Sequence, residues 1–505
     1  MHGFEANALS YDYTASIECL ENPHKPQYGG GIIVNPELNH GLKGWSTFGE
    51  AKIQHRQSQA GNKFAVACSR NQAHAGISQK IYLQRNKLYT FSAWIQVSGG
   101  SGVPVTAIFK TSAGSFIHAG AIVAESKCWS MLKGGLTVNA SGLAELYFES
   151  KNTTVEIWVD SISLQPFTEK EWKSHHDQSI EKIRKSNLRI QAVDAKGNPL
   201  PNATISIQQR APSFPFGCAM NKNILTNTAY QNWFSSRFGV TTFENEMKWY
   251  STEPSQGQED YSVADAMLQF AKQQNIAVRG HNVFWDDPQY QLGWVKSLDK
   301  RQLARAAFRR DGDSTPAKYL QRLRDIQDFS GNNNSKIAIG LESHFKTPNI
   351  PYIRSSIDTL AAANLPIWIT ELDVENGPNQ SLYLEQILRE VYAHPQIQGI
   401  VIWAAWNPQG CYRMCLTDNN FTNLQTGDVV DTLLHEWGLI KAGFTSSATT
   451  DTNGVFEASL PHGDYEVKIT DPESVKISSS MVQRLNVAAS TTASQLPLLV
   501  QLSAA

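Results

Sequence analysis

Hydrophobic positions recur every second residue along much of the first third of the chain. In the segment 89–97, Tyr89, Phe91, Ala93, Ile95 and Val97 fall on one face, and Thr90, Ser92, Trp94 and Gln96 on the other. That alternation predicts a half-buried strand. Val155, Ile157 and Val159 alternate in the same way, leaving Trp158 on the side of Glu156 and Asp160. Short strands of this kind, separated by Gly-rich turns, predict a β-sandwich of jelly-roll type over residues 30–167. Trp94 and Trp158 stand on otherwise polar faces. Each is expected either to be covered by a loop or to meet a ligand.

The pattern then changes twice. Residues 168–187 are charged and polar and read as a linker, and 188–211 as a β segment. From 212 to 440, short apolar runs alternate with amphipathic stretches, as in a parallel sheet or barrel. Strands are expected at 214–219, 239–243, 276–280, 337–341, 366–370 and 399–403, with helices at 299–310 and 317–329. Residues 441–505 return to β-hairpin patterning, with turns at Asp451-Thr-Asn-Gly454 and His462-Gly-Asp464. Segments 188–208 and 449–469 look like two halves of one small transthyretin-like sandwich, with the barrel inserted between them. The chain is therefore expected to be multidomain, with a β-sandwich, an α/β barrel and a small C-terminal β region.

Composition narrows the partners. A formal net charge of -2, with 18% charged residues and no basic run, argues against nucleic acid. No apolar run is long enough to span a membrane, and no signal peptide is visible at the N-terminus. Ten per cent aromatic residues, including 13 Trp, suits ligands that are half apolar and half hydroxyl, such as sugars. The six cysteines, at 19, 68, 128, 218, 411 and 415, show no paired zinc-ligand spacing, and Cys411 and Cys415 are close enough to bridge. Asn-X-Ser/Thr triplets at Asn139, Asn152, Asn202, Asn333, Asn379 and Asn420 lean towards a secreted protein.

The predicted strand ends carry the chemistry. They read Thr242-Phe-Glu-Asn-Glu-Met-Lys-Trp249, Arg279-Gly-His-Asn-Val-Phe-Trp285, Gly340-Leu-Glu-Ser-His-Phe345, Pro366-Ile-Trp-Ile-Thr-Glu-Leu-Asp373 and Ile402-Trp-Ala-Ala-Trp406. Carboxylate, amide, imidazole and indole groups would gather at one barrel mouth, where parallel α/β folds deliver reactive groups. In this order the motifs resemble glycoside hydrolase family 10, the endo-β-1,4-xylanases, a (β/α)8 barrel family. The upstream run Asn35-Pro-Glu-Leu-Asn-His-Gly-Leu-Lys-Gly-Trp45 is similar to the CenC-like carbohydrate-binding modules that accompany plant xylanases.

The resemblance implies retaining hydrolysis of the xylan backbone, with Glu371 as nucleophile and His344 orienting it. Glu244, Asn245, Lys248, His281, Trp285 and Glu342 match sugar-binding positions, and Trp403 and Trp406 match the aromatic wall of the cleavage site. It implies no organic cofactor, and similarity to such modules leaves room for calcium near Glu37 and Asp160 in the sandwich. It also implies a monomer working outside the cell, at the cell wall.

One part of the family pattern is absent. The acid/base Glu of an Asp-Val-Val-Asn-Glu-type motif has no counterpart between Trp285 and Ile337. Two strands and their connections need on the order of 100 residues, about twice what that interval holds. Barrel strands four and five are expected to be deleted, with the junction at Phe308-Arg-Arg-Asp-Gly. Three readings follow: a xylanase, an inactive polysaccharide-binding protein, or a chain that does not fold.

Overall fold

The computed structural model describes residues 9–194, 196–281, 288–296, 315–328, 336–441, 443, 445–470, 480–488 and 498–501. Its N-terminal part is a sandwich of two five-stranded antiparallel sheets. One has the order Ser46–Phe48, Gly76–Leu83, Gly142–Glu149, Val103–Thr111, Phe116–Ala124. The other has the order Lys52–Gln57, Lys63–Cys68, Ile157–Thr168, Lys87–Val97, Ser130–Leu136. The alternating set Tyr89, Phe91, Ala93, Ile95 and Val97 lies fully inside, with Phe109 and Phe148 from the facing sheet. Each such aromatic contributes roughly 2–3 kcal/mol by leaving water.

The outer face of the second sheet is also covered. Residues 9–30 cross it as a strap, held by the Cys19–Cys128 disulfide and by backbone pairing of Leu20 with Trp129. His24 sits edge-on to Trp94 at 5.3 Å. Trp94 is consequently 2% exposed, in a cluster with Phe64, Val66, Trp129 and Met131.

The stretch read as a linker is a helix, Glu169–Ile183. It is closed at its start by a capping box between Thr168 and Glu171. Its charged residues face solvent, while Trp172, His175 and His176 are buried. The polar composition of this connecting segment belongs to the solvent face of an amphipathic helix.

A buried ionic junction ties these parts to the barrel. Lys133 Nζ of the sandwich lies 2.7 Å from Asp358 Oδ2 on the barrel helix Ile350–Ala361. Asp358 also accepts from Tyr11 OH at 2.7 Å and pairs with His394 Nε2 at 2.9 Å. One turn earlier Arg354 pairs with Glu390 and stacks on Trp172 at 3.8 Å. Glu390 in turn accepts from Trp172 Nε1 at 2.8 Å.

The C-terminal β region is built from both ends of the barrel segment. Lys185–Val193 pairs with Val455–Pro461 and Leu498–Gln501. Thr204–Pro212 pairs with Thr445–Thr449 and Gly463–Thr470, and Ser480–Val487 adds to the latter.

Between them runs a six-stranded parallel sheet. Its order is Ala277–Arg279, Val240–Phe243, Phe216–Met220, Ile397–Ile402, Ile367–Val374, Ile339–Phe345. No strand stands between the first and last of these among the described residues. A side chain bridges the two edges: the Arg279 guanidinium comes within 3.8 Å of where a β-carbon would sit at Gly340. The expected helix at 299–310 and the junction at Phe308 lie outside the described residues. The second expected helix is Pro316–Gln327.

Candidate active site

Glu371 lies inside a strand, not at its end. Ile367–Val374 continues three residues beyond it, burying Leu372, Asp373 and Val374. The pairing registers slip on both sides of Thr370–Glu371, which is a bulge. Bulges re-aim side chains at functional sites, and here the carboxylate points towards two imidazoles. His281 Nε2 is 2.9 Å from Glu371 Oε1, and His344 Nε2 is 3.3 Å from Oε2.

Each imidazole has its own support. His344 Nδ1 bonds Asp373 Oδ2 at 2.8 Å, and Asp373 Oδ1 accepts from Arg413 Nε at 2.7 Å. His281 Nδ1 meets Arg279 Nη1 at 3.1 Å. The electrostatics follow from this chain. Burial raises the Glu371 pKa, but hydrogen bonds and charge from His281 and His344 outweigh it and hold the acid at about 2. His344 is lifted to about 9 by its bonds to Asp373 and then Glu371, against burial. At neutral pH Glu371 is thus an anion, held by a protonated His344. A carboxylate so oriented and ionised is suited to nucleophilic attack.

Glu342 is Glu371's neighbour in register on the adjacent strand. Glu342, His344 and Glu371 bring ligand-type atoms within 4.8 Å of one another. Both nitrogens of His344 are already engaged by carboxylates, so this trio suits a proton network better than a metal.

The other side of the cleft carries Glu244, Asn245 and Lys248. Burial, reinforced by Glu246, pushes Glu244 up to about 7, while a bond from Asn221 opposes the rise. Lys248 is buried and its pKa is lowered by that burial. Its ammonium donates to Asn245 Oδ1 at 3.1 Å and lies 5.9 Å from the Trp403 ring. Trp403 is half-buried and meets His281 edge-on at 5.4 Å. A cavity of about 290 Å³ is lined here by Glu244, Asp373, Trp403, Asn407, Tyr412 and Arg413.

Three of the candidate sugar-binding aromatics are used in packing. Trp406 is core: it is 5% exposed, packs on Phe421 and Tyr230, and donates Nε1 to Asn419 Oδ1 at 2.8 Å. Trp94 is sealed beneath the strap. Trp158 stacks on Phe64 at 5.0 Å and donates Nε1 to Glu156, which also holds Arg56 at 2.7 Å. Its face and its donor are both used in packing. Trp285 lies outside the described residues.

Sequence reading missed Arg413, which no periodicity marks, and gave no role to Asp373, two residues after Glu371. It also missed an aromatic patch on the first sheet of the sandwich. Phe48 and Tyr147 stack there at 3.9 Å, with Lys110 over Phe48 at 5.6 Å and over the exposed Phe116 at 5.8 Å. At the conceivable calcium position, Asp160 is pushed to about 7 by burial, and the nearby Glu37 carboxylate pushes the same way. Among the described residues, the one group of three or more His, Cys, Asp or Glu placed to share a metal ion does not include either of them.

The sequence profile of glycosyl hydrolase family 10 matches residues 206–310 and 313–421, and that of a carbohydrate binding domain matches 30–154. Endo-1,4-beta-xylanase 5-like of Arabidopsis thaliana is 37% identical over 546 aligned positions, covering 95% of this chain and 92% of the relative. Endo-1,4-beta-xylanase 5 of the same plant is 37% identical over 471 positions, covering 80% and 83%. Endo-1,4-beta-xylanase 4 is 31% identical over 553 positions, covering 94% and 92%. Two of these alignments are longer than the 505 residues of this chain, so those relatives carry tens of residues that it lacks.

Proposed function

Because the chain belongs to glycosyl hydrolase family 10, we propose that its barrel is the nucleophile half of a retaining endo-1,4-β-xylanase site acting on cell-wall xylan. The observation that carries this reading is the Glu371 carboxylate, ionised and gripped by His281 and His344. In the first step Glu371 attacks the anomeric carbon as the glycosidic C–O bond breaks, giving a glycosyl ester and a leaving oxygen that takes a proton. Water then opens the ester with net retention. Glu244, Asn245, Lys248, Glu342 and Trp403 face the cleft as sugar-binding groups.

The proton donor is the weak point. No glutamate occurs between Glu259 and Glu342, the interval in which the family pattern sets its acid/base. The family match also breaks between residues 310 and 313, beside the junction inferred from sequence. These observations favour a second reading, a xylan-binding protein whose turnover is crippled for want of an acid. On that reading the sandwich would hold polysaccharide through the Phe48–Tyr147 patch. The two disulfides, Cys19–Cys128 and Cys411–Cys415, support an oxidising, extracellular setting.

Reducing-sugar release from xylan separates the readings. The chain, its Glu371→Gln variant and a version carrying the missing segment from a relative would be assayed together. Turnover by the chain that Glu371→Gln abolishes establishes the enzyme. Release by the restored version alone, with the chain still retained on xylan, establishes the binding protein.

A further inference from the structure

We propose that the loop closed by the Cys411–Cys415 disulfide is a positioning element for the nucleophile, acting through Arg413. The inference rests on the reading of Glu371 as nucleophile.

A single guanidinium ties together the ends of the two strands that carry the site. Arg413 Nε donates to Asp373 Oδ1 at 2.7 Å, and Nη2 donates to the Phe345 carbonyl at 2.6 Å. Asp373 is two residues after Glu371, and Phe345 follows His344 directly. The other oxygen of Asp373 receives His344 Nδ1. Arg413 thus fixes the carboxylate that orients the imidazole that holds Glu371. Asp373 is 1% exposed, so little water is at hand to replace the guanidinium.

The loop is built to hold Arg413 still. Its backbone carbonyl accepts from Gln380 Nε2 at 3.0 Å, and the same amide donates to the Val374 carbonyl at 2.8 Å. That bridge pins the loop to the end of the Glu371 strand. The disulfide closes a five-residue loop centred on Arg413, and the Cys411 amide donates to Cys415 Sγ at 3.1 Å. The Cys415 carbonyl accepts from Thr426 Oγ1 at 2.5 Å. Met414, on one side of Arg413, is buried in the barrel core, whereas Tyr412 on the other side is 96% exposed, so the Cys411 half of the loop is held by the crosslink rather than by packing. An arginine side chain is rich in rotamers, and a crosslinked backbone beneath it cuts the entropy lost when it bridges two acceptors.

The test follows formation of the glycosyl ester alone, using 2,4-dinitrophenyl 2-deoxy-2-fluoro-β-xylobioside. Dinitrophenolate leaves as an anion without needing a proton, so the missing acid does not matter. Mass spectrometry of the Glu371 peptide reports the rate of labelling. Arg413→Met and the paired change Cys411→Ser/Cys415→Ser are each expected to slow the first-order labelling step about tenfold or more, leaving the probe's binding constant in place. Arg413→Lys should recover part of the loss, having charge but no fork to reach both acceptors. Combining Arg413→Met with the cysteine changes should cost no more than Arg413→Met alone, because the loop acts through that residue. Labelling within twofold of the parent in either variant, or losses that add in the combination, would overturn the inference while leaving Glu371 as nucleophile. Absence of label on Glu371 in the parent chain would remove the nucleophile reading and this inference with it.

Discussion

His281 Nε2 lies 2.9 Å from Glu371 Oε1, although 90 positions separate them in the sequence. The resemblance suggests a sugar contact for His281; the fold gives it a direct hold on the acid. With His344 it brings two imidazoles onto one buried carboxylate.

Replacing His281 should therefore move the acid limb of the chemistry. Glu371 stands at about 2 because of the two imidazoles, and burial alone would raise it. In His281→Ala the pH at which labelling by a fluorinated xylobioside is half-lost should rise by one unit or more. The check is labelling rate against pH for both proteins. A limb that stays in place would mean that His281 does not act on Glu371.

The Glu371–His344 pair also sets a stability window. Glu371 is depressed from its ordinary 4.5 to about 2, so its contribution is present above about pH 4.5 and is lost as pH falls towards 2. His344 is raised from 6.5 to about 9, so its contribution is present below about pH 6.5 and is lost as pH rises through 9. Thermal midpoints should be highest between these limits. The His344→Gln variant should lack the decline between pH 6.5 and 9, and scanning calorimetry across that range reads it.

Lys133→Met should destabilise the whole chain by about 3 kcal/mol, because it leaves the buried Asp358 carboxylate without its ammonium partner. Adding Asp358→Asn should return part of that loss, since a neutral amide needs no counter-charge and its oxygen still accepts a hydrogen bond from Tyr11 or His394. Urea midpoints of the single and double variants decide it.

The sandwich offers a sharp contrast between two aromatics. Trp94→Ala should lower stability by about 3 kcal/mol or more through the cavity it leaves, with retention on insoluble xylan unchanged. Phe48→Ala should reduce retention with little change in melting, because Phe48 sits in the surface stack with Tyr147. Affinity electrophoresis in xylan gels, with melting curves beside it, measures both.

Much of the fold was legible because strands and helices advertise their buried faces at fixed periods. The alternation at 89–97 marks a core face, and the apolar run ending in Ile-Thr-Glu-Leu-Asp marks the strand that bears the nucleophile. The connecting segment 168–187 was less legible, because a one-sided helix has a polar average composition that hides its buried Trp172, His175 and His176.

What the sequence determined by itself is which residues share a face, which strands carry acids and imidazoles, and that no acid/base motif lies between Trp285 and Ile337. What only the tertiary structure decided is what covers each face. The strap at 9–30 turned Trp94 from a ligand candidate into core, and the packing around Tyr230 and Phe421 did the same for Trp406. It also decided that Arg413 would reach Asp373 from 40 residues away. The physical reason is that periodicity records only whether a position leaves water, whereas the identity of its neighbour depends on how distant elements dock.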